Sequence, residues 1–348
     1  MNKVKIALVV DVESWAFDTL AQNIKSGLGN EFEIEILYYE SEKYNKDLYK
    51  ILEDVKDFDI IHVFWRNNIN DFNTKEFRDK VKEKGINFEE YISIFKNKIS
   101  TCVCDHMFLE GNELNRFYDV FNRYTKSYYV ISNKLYNIYK NIKRYKAPYG
   151  VIMDSIDTNI FVPKNIERFE YDNISNRTIK IGWVGNSNFF SEVDKSVDYK
   201  GLHTITDVAL DELIKEGHAI EKLYADRNDK LIPNKNMPDY YKNIDIYICS
   251  SIYEGTPLPV LEAIACGVPI ITTDVGVVPD VLGPKQKQFI MEERSVSILK
   301  EKILELLNNR ELFFQLSQEN IEYSKNNSYI VRANDYKKYF EDFIGKIH

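Results

Sequence analysis

The sequence predicts an α/β protein built from two doubly wound domains that face a cleft. Three observations carry this expectation. Short apolar, β-rich runs such as residues 4–10 (VKIALVV) and 244–251 (IDIYICSS) recur along the chain. Continuous apolar runs suit strands covered on both faces of a parallel sheet. Helical stripes fall between them, and strand–helix alternation means a parallel sheet with helices on both sides. The rhythm breaks once, over residues 147–177, then restarts, so the 348 residues divide into two domains of ordinary size.

Taken in order, residues 4–10 open the first sheet. The turn Asp11-Val12-Glu13-Ser14 follows, and Phe17, Leu20, Ala21, Ile24 and Leu28 then form a helical stripe stopped by Gly29. Further strands are expected at 33–39, 60–65, 100–104 and 128–132. Helices are expected at 47–55, within the lysine-rich 73–97, and at 112–124 and 134–142. Pro148, Gly150, Pro163 and several Asp and Asn interrupt the pattern, and 151–177 is read as a linker between a domain at 1–150 and one at 178–329. In the second domain strands are expected at 180–184, 221–224, 244–251 and 268–273. Its helices are expected at 201–217, 237–242, 260–266, 295–307 and 311–324. Residues 330–348 end the chain with an amphipathic helix carrying Tyr336, Tyr339, Phe340 and Phe343.

Composition narrows the function classes. Hydrophobic residues make up 44% and charged residues 29%, a globular balance. A net charge of −8 argues against nucleic acid as the partner. No apolar run approaches a membrane span, and the first residues enter a strand pattern without cleavage-site character, so no signal peptide is expected. Cys102, Cys104, Cys249 and Cys266 lie in apolar contexts with spacing unlike zinc sites. Buried free thiols in a reducing compartment, hence a cytoplasmic location, are the expectation.

The stretch most specific for function is 250–276, SSIYEGTPLPVLEAIACGVPIITTDVG. Between two apolar strands it places a polar turn, Glu254-Gly255-Thr256-Pro257-Leu258, and then a helix that Gly267 stops, with Pro269 beyond. Such a turn directs backbone N–H groups and a helix start beyond the carboxyl end of a strand, where a phosphate or diphosphate is held. Thr256 adds a hydroxyl. Glu254 and Glu262 would repel that phosphate unless they accept hydrogen bonds from neutral hydroxyls, as on sugars. A phosphate cradle between two hydroxyl acceptors describes a nucleotide-sugar site.

Glu254 and Glu262, seven residues apart within Pro-x-x-x-Leu-Glu-Ala-x-Ala-Cys-Gly-x-Pro, resemble the E-x7-E signature of retaining glycosyltransferases of the GT-B fold, glycosyltransferase family four. The resemblance implies two Rossmann-like domains, and a final helix that packs back on the first. SIDTNIFVP (155–163) is similar to the element that follows the first domain in that family. The resemblance also implies that Glu254 holds donor-sugar hydroxyls, Glu262 holds ribose hydroxyls, and a histidine near His106 contacts the donor sugar. Lys200-Gly201, after a polar loop, resembles the family's Lys-Gly, whose lysine neutralises the leaving diphosphate. The arginine usual after the strand-end glycine is replaced by Asn186 following Gly185, and Arg227 is a candidate substitute. The nucleotide diphosphate sugar, a UDP- or GDP-sugar among the candidates, is a co-substrate; no other cofactor and no metal are expected.

Other residues leave two readings open. The first loop lacks the glycine pair of many family members and carries Asp11, Ser14 and Trp15; it lines the acceptor side, or Trp15 is a core residue. Arg66 suits an acceptor anion or a surface salt bridge. His62, inside IIHVFW, is expected in the core. Residues 135–146 interleave tyrosines with Lys140, Lys143, Arg144 and Lys146. That pattern suits weak peripheral contact with the inner face of an anionic membrane, or a solvated helix with its tyrosines inward, which is favoured.

The reading that unites these features is a retaining transferase that moves a sugar to a hydroxyl of a glycan, lipid-linked or protein-linked acceptor. The alternatives are an inverting transferase or sugar-nucleotide epimerase on the same fold, and a non-catalytic binding subunit.

Overall fold

A computed structural model describes residues 3–105, 109, 113–189 and 197–345. The chain forms two compact units. One holds Met1–Ser155 with Tyr329–His348, the other Ile156–Ser328.

The first unit contains β1 (Lys5–Val10), β2 (Glu33–Tyr38), β3 (Ile60–Val63), β4 (Ile99–Val103) and β5 (Ser127–Val130). They form one parallel sheet in the order β2-β1-β3-β4-β5. Ile6 to Val10 and all of β3 and β4 are buried, as continuous apolar runs require. The helix Ala16–Leu28 buries Leu20, Ala21, Ile24 and Leu28 of the predicted stripe and leaves Phe17 half-buried. The final helix Tyr329–Gly345 lies in this same unit and buries Tyr336, Tyr339, Phe340 and Phe343. The Tyr339 hydroxyl meets the Ser100 hydroxyl at 2.6 Å, and Ser100 meets His62 Nδ1 at 2.9 Å. Burial pushes the His62 pKa down to about 3, so this core imidazole is neutral.

The second unit contains β6 (Ile179–Gly185), β7 (Ile220–Asp226), β8 (Ile246–Cys249), β9 (Ile270–Thr273) and β10 (Ile290–Met291). They form a second parallel sheet, β10-β9-β8-β6-β7. Its core joins Ile181, Ile246, Ile248 and Ile271 of the sheet to Leu210, Leu299, Ile303 and Phe313 of the covering helices. Each such side chain contributes about 1.5–3 kcal/mol by leaving water. In both sheets the strand order reverses direction once, between β1 and β3 and between β6 and β8. Such a switch point, outside the carboxyl ends of the strands, is where open α/β sheets bind ligands.

Two expectations need correction. Residues 151–177 are not a bare linker: Phe169 and Ile174 are fully buried in the second unit's core. Arg177 grips the buried Asp245 through both oxygens, at 2.6 and 2.5 Å, which anchors this segment at the start of β8. Irregular backbone hid this packing, because its two short helical turns, Ile166–Phe169 and Tyr171–Ile174, give no readable period. Residues 135–146 are likewise not one helix. Helix Asn133–Tyr139 ends early, Tyr139 and Tyr145 are buried, and Lys140, Lys143 and Arg144 are exposed. Tyr139 and Tyr145 pack inward, while Tyr136 is half-buried with the Lys140 ammonium over its ring. No helix among the described residues is long and apolar enough to cross a membrane.

Candidate active site

The site is built where β6 and β8 separate. Gly185 ends β6, Lys200 and Gly201 lie in the loop beyond it, and Glu254 lies in the loop beyond β8. Lys200 Nζ donates to Glu254 Oε1 at 2.6 Å, and the Ser251 hydroxyl donates to the same oxygen at 2.7 Å. The two charged side chains are only 18% and 15% exposed. Lys200 Nζ also lies 4.8 Å from the centre of the Phe189 ring.

The loops are brought this close by two glycines. Gly201 adopts φ +74°, and a Cβ there would lie 2.3 Å from the Ser250 carbonyl oxygen. Gly276 adopts φ +49°, and a Cβ there would lie 1.7 Å from the Gly255 carbonyl oxygen. Neither position admits a side chain. Ser250 reinforces the first approach, its hydroxyl donating to the carbonyls of Lys200 and Gly201 at 3.2 and 3.0 Å. The Val277 N–H donates to Gly255 O at 3.0 Å and reinforces the second.

The helix Leu258–Ala265 starts directly after the turn, with buried Pro257 as its cap residue. Pro257 and Pro259 have no N–H, and the Val260 N–H is spent on Pro257 O at 2.8 Å. Within the turn, backbone N–H groups are carried by Gly255, Thr256 and Leu258. Glu262 lies inside that helix, 8% exposed. The Tyr241 hydroxyl donates to its Oε2 at 2.7 Å. Burial pushes its pKa up to about 7, against a smaller opposing pull from the Tyr241 bond. One acid thus faces a cation at the switch point, and the other is buried with one hydroxyl donor.

The remaining candidates are placed as follows. Asn186 accepts from the Asn188 N–H and Asn228 Nδ2, at 3.0 and 2.9 Å, and so belongs to a polar cluster at the ends of β6 and β7. Arg227 is exposed, and its backbone N–H donates to Gly185 O at 2.8 Å. His106 lies outside the described residues. In the first unit Asp11 ends at the carboxyl edge of β1, its carboxyl pKa raised by burial. Trp15 is 48% exposed, which corrects the core alternative; the neighbouring Phe17 is half-buried, its ring 5.5 Å from that of Phe64. Arg66 is neither an open anion binder nor a surface residue. It is 1% exposed and donates to both oxygens of Asp105, at 3.0 and 2.8 Å. Sequence reasoning also missed Arg294, whose Nε donates to Ser250 O and whose Nη2 donates to Asp198 O, both at 2.7 Å. Its partners are backbone carbonyls, which leave no trace in a sequence.

The chain is similar to known glycosyltransferases. Residues 218–326 match the family described as glycosyl transferases group 1. An uncharacterized glycosyltransferase of Methanocaldococcus jannaschii is 28% identical over 209 residues, 53% of this chain and 60% of that relative. The chain therefore spans less than two thirds of this curated relative. Sucrose-phosphate synthase from Thermosynechococcus elongatus superposes with a TM-score of 0.67 at 12% identity, covering 99% of this chain and 100% of that one. Anabaena HepE in complex with UDP gives 0.66 at 11% identity, covering 97% and 100%. Residues 218–326, which include Glu254 and Glu262, form a domain of the glycosyltransferase group 1 type, and the two parallel sheets have the fold of GT-B glycosyltransferases.

Proposed function

We propose that the protein is a retaining glycosyltransferase that moves a sugar from a nucleotide diphosphate sugar to an acceptor hydroxyl on a glycan or glycoconjugate. The observation that carries this reading is the Lys200–Glu254 pair, 2.6 Å apart beside the Gly255–Leu258 turn. Without ligand, the lysine is neutralised by the acid. When a diphosphate arrives, Lys200 takes the phosphate oxygens, and Glu254 is released to accept hydrogen bonds from the donor sugar. Glu262 then accepts from ribose hydroxyls. The bond from the anomeric carbon to the diphosphate breaks while a bond to the acceptor oxygen forms on the same face. The acceptor proton passes to the departing phosphate oxygen. The protein contributes position and charge, supplied by Lys200 and the helix start. Transfer is accordingly expected without a divalent cation. Asp11 and Trp15 are assigned to the acceptor.

A UDP-sugar is the first donor to try, since HepE, a protein of the same fold, is described in complex with UDP; a GDP-sugar is the second. A thermal-shift series with UDP, GDP, ADP and their sugars tests the reading. A ligand held at a hundred times its Kd stabilises by about 2.7 kcal/mol. The expected result is a concentration-dependent rise with one nucleotide, lost in Lys200→Ala, and slow donor hydrolysis that stops in Glu254→Ala. Anomer analysis of the product decides between retention and inversion. No response to any nucleotide and no transfer would leave the non-catalytic reading standing.

A further inference from the structure

Lys200 and Glu254 stand on separate loops 54 residues apart in sequence. Something must fix the spacing of the two backbones. Neutral contacts do part of this: the Ile252 N–H donates to Tyr199 O at 2.8 Å, and Ser250 Oγ reaches the Lys200 and Gly201 carbonyls. Besides the Lys200–Glu254 pair itself, a charged contact comes from a third segment. Arg294 lies between β10 and the helix Val296–Asn308. Its guanidinium donates at 2.7 Å to the carbonyl of Ser250, four residues before Glu254, and at 2.7 Å to the carbonyl of Asp198, two residues before Lys200. The Asp198 carboxylate has other work, accepting from the N–H groups of Gly201, His203 and Thr204 at 2.8, 2.8 and 2.9 Å. One planar fork thus joins the two loops that carry the cation and the acid. A guanidinium can bridge two carbonyls with fixed geometry; an ammonium on a flexible stem cannot do so equally well.

We propose that Arg294 is a positioning residue for the donor diphosphate: it clamps the loop of Lys200 against the end of β8, so that Lys200 and Glu254 meet the same ligand. The proposal rests on the donor-site reading above. It predicts coupling between Arg294 and Lys200, since the value of the clamp lies in where it puts the lysine.

The test is a double-mutant cycle, read by calorimetric titration with UDP, GDP or ADP, whichever binds the unaltered protein. Arg294→Met should weaken binding about tenfold, the size expected when residues acting as one unit are separated. In a Lys200→Ala background the same change should cost less than about twofold, because the group it positions is gone. Arg294→Lys keeps the charge and should recover only part of the affinity, and it serves as the clamp variant should Arg294→Met fail to fold. A purely structural arginine would cost the same factor in both backgrounds; that result, or unchanged affinity in Arg294→Met and Arg294→Lys, overturns the proposal. Failure of the unaltered protein to bind any of the three nucleotides would overturn the donor-site reading itself and the proposal with it.

Discussion

Each unit places one basic–acidic pair at the carboxyl ends of its parallel sheet, and the two pairs are built differently. In the first unit Arg66 and Asp105, beyond β3 and β4, make two parallel hydrogen bonds, with the guanidinium 1% exposed. The Phe117 ring covers that guanidinium at 4.7 Å. In the second unit Lys200 and Glu254 share a single contact, and both keep some access to solvent. A two-point, buried arginine fork is closed off from a visiting anion. A lysine is a point charge on a flexible stem, and it exchanges one oxygen partner for another at little cost. On the proposed function, the first pair stays and the second changes partners.

The sharpest way to break this contrast is to remove the acid from each pair. Glu254→Gln should lower sugar transfer by a hundredfold or more, about the effect of losing one pre-organised polar group at a reacting centre. Its unfolding free energy should change less than that of Asp105→Asn, because the lysine left unpaired keeps more access to water than Arg66 does. Asp105→Asn should do the reverse. It leaves a buried guanidinium uncompensated, and about 3 kcal/mol of stability should be lost. Urea unfolding and initial rates on the same two variants settle the matter. A stable Asp105→Asn protein with abolished transfer would place that pair in the chemistry and end the contrast.

How much of this was legible in the sequence follows from how local each feature is. The strands were legible, because IALVV and IYIC are apolar without interruption and a strand buried on both faces needs nothing else. The turn at Glu254 was legible because its prolines, glycine and acids lie within nine residues. The state of Arg66 was not: its partner lies 39 residues away, and nothing in RNNIND signals burial. Arg294 sits in MEERS, which reads as a solvated charge run, and only the folded chain brings two carbonyls to it. The core role of 166–177 was hidden for the same reason, since Phe169 and Ile174 find their neighbours through the fold.

A third acid extends the comparison to pH. Glu262 is buried without a cation, and its pKa is raised to about 7 from an ordinary 4.5. The folded state therefore keeps its proton where the unfolded chain has lost it. The sign is then fixed: stability from this group is complete below pH 4.5 and is lost as pH rises to about 7, by roughly 3 kcal/mol. His62 acts in the opposite sense, since burial holds it neutral down to about pH 3 and stability falls as pH drops below 6.5. The bare pH profile mixes the two, so the informative quantity is the difference between the unaltered protein and Glu262→Gln. That difference should shrink between pH 7.5 and 4.5. A difference independent of pH would mean that Glu262 is ionised throughout. On the ribose-binding role proposed for Glu262, donor affinity should rise as pH increases through the same window and the carboxylate forms.

The smallest expected effect concerns the two loops that leave the first strand of each sheet. The loop after β6 turns at Gly201 with φ +74°, and the loop after β1 turns at Ser14 with φ +64°. An L-residue in this left-handed region costs about 1–2 kcal/mol. Ser14 is held there by its neighbour, its N–H donating at 2.7 Å to the buried Asp18, which also accepts from Tyr38 at 3.0 Å. Glycine would relieve the strain while adding freedom to the unfolded chain, which returns about 0.5–1 kcal/mol. Ser14→Gly should therefore stabilise the first unit by roughly 0.5 kcal/mol, read as slower hydrogen exchange of the β1 amides. Gly201→Ala should do the opposite in the second unit, because its Cβ would meet the Ser250 carbonyl at 2.3 Å. Faster exchange in Ser14→Gly would mean that the serine side chain holds the loop by a contact worth more than the strain, and the two turns would then not be equivalent devices.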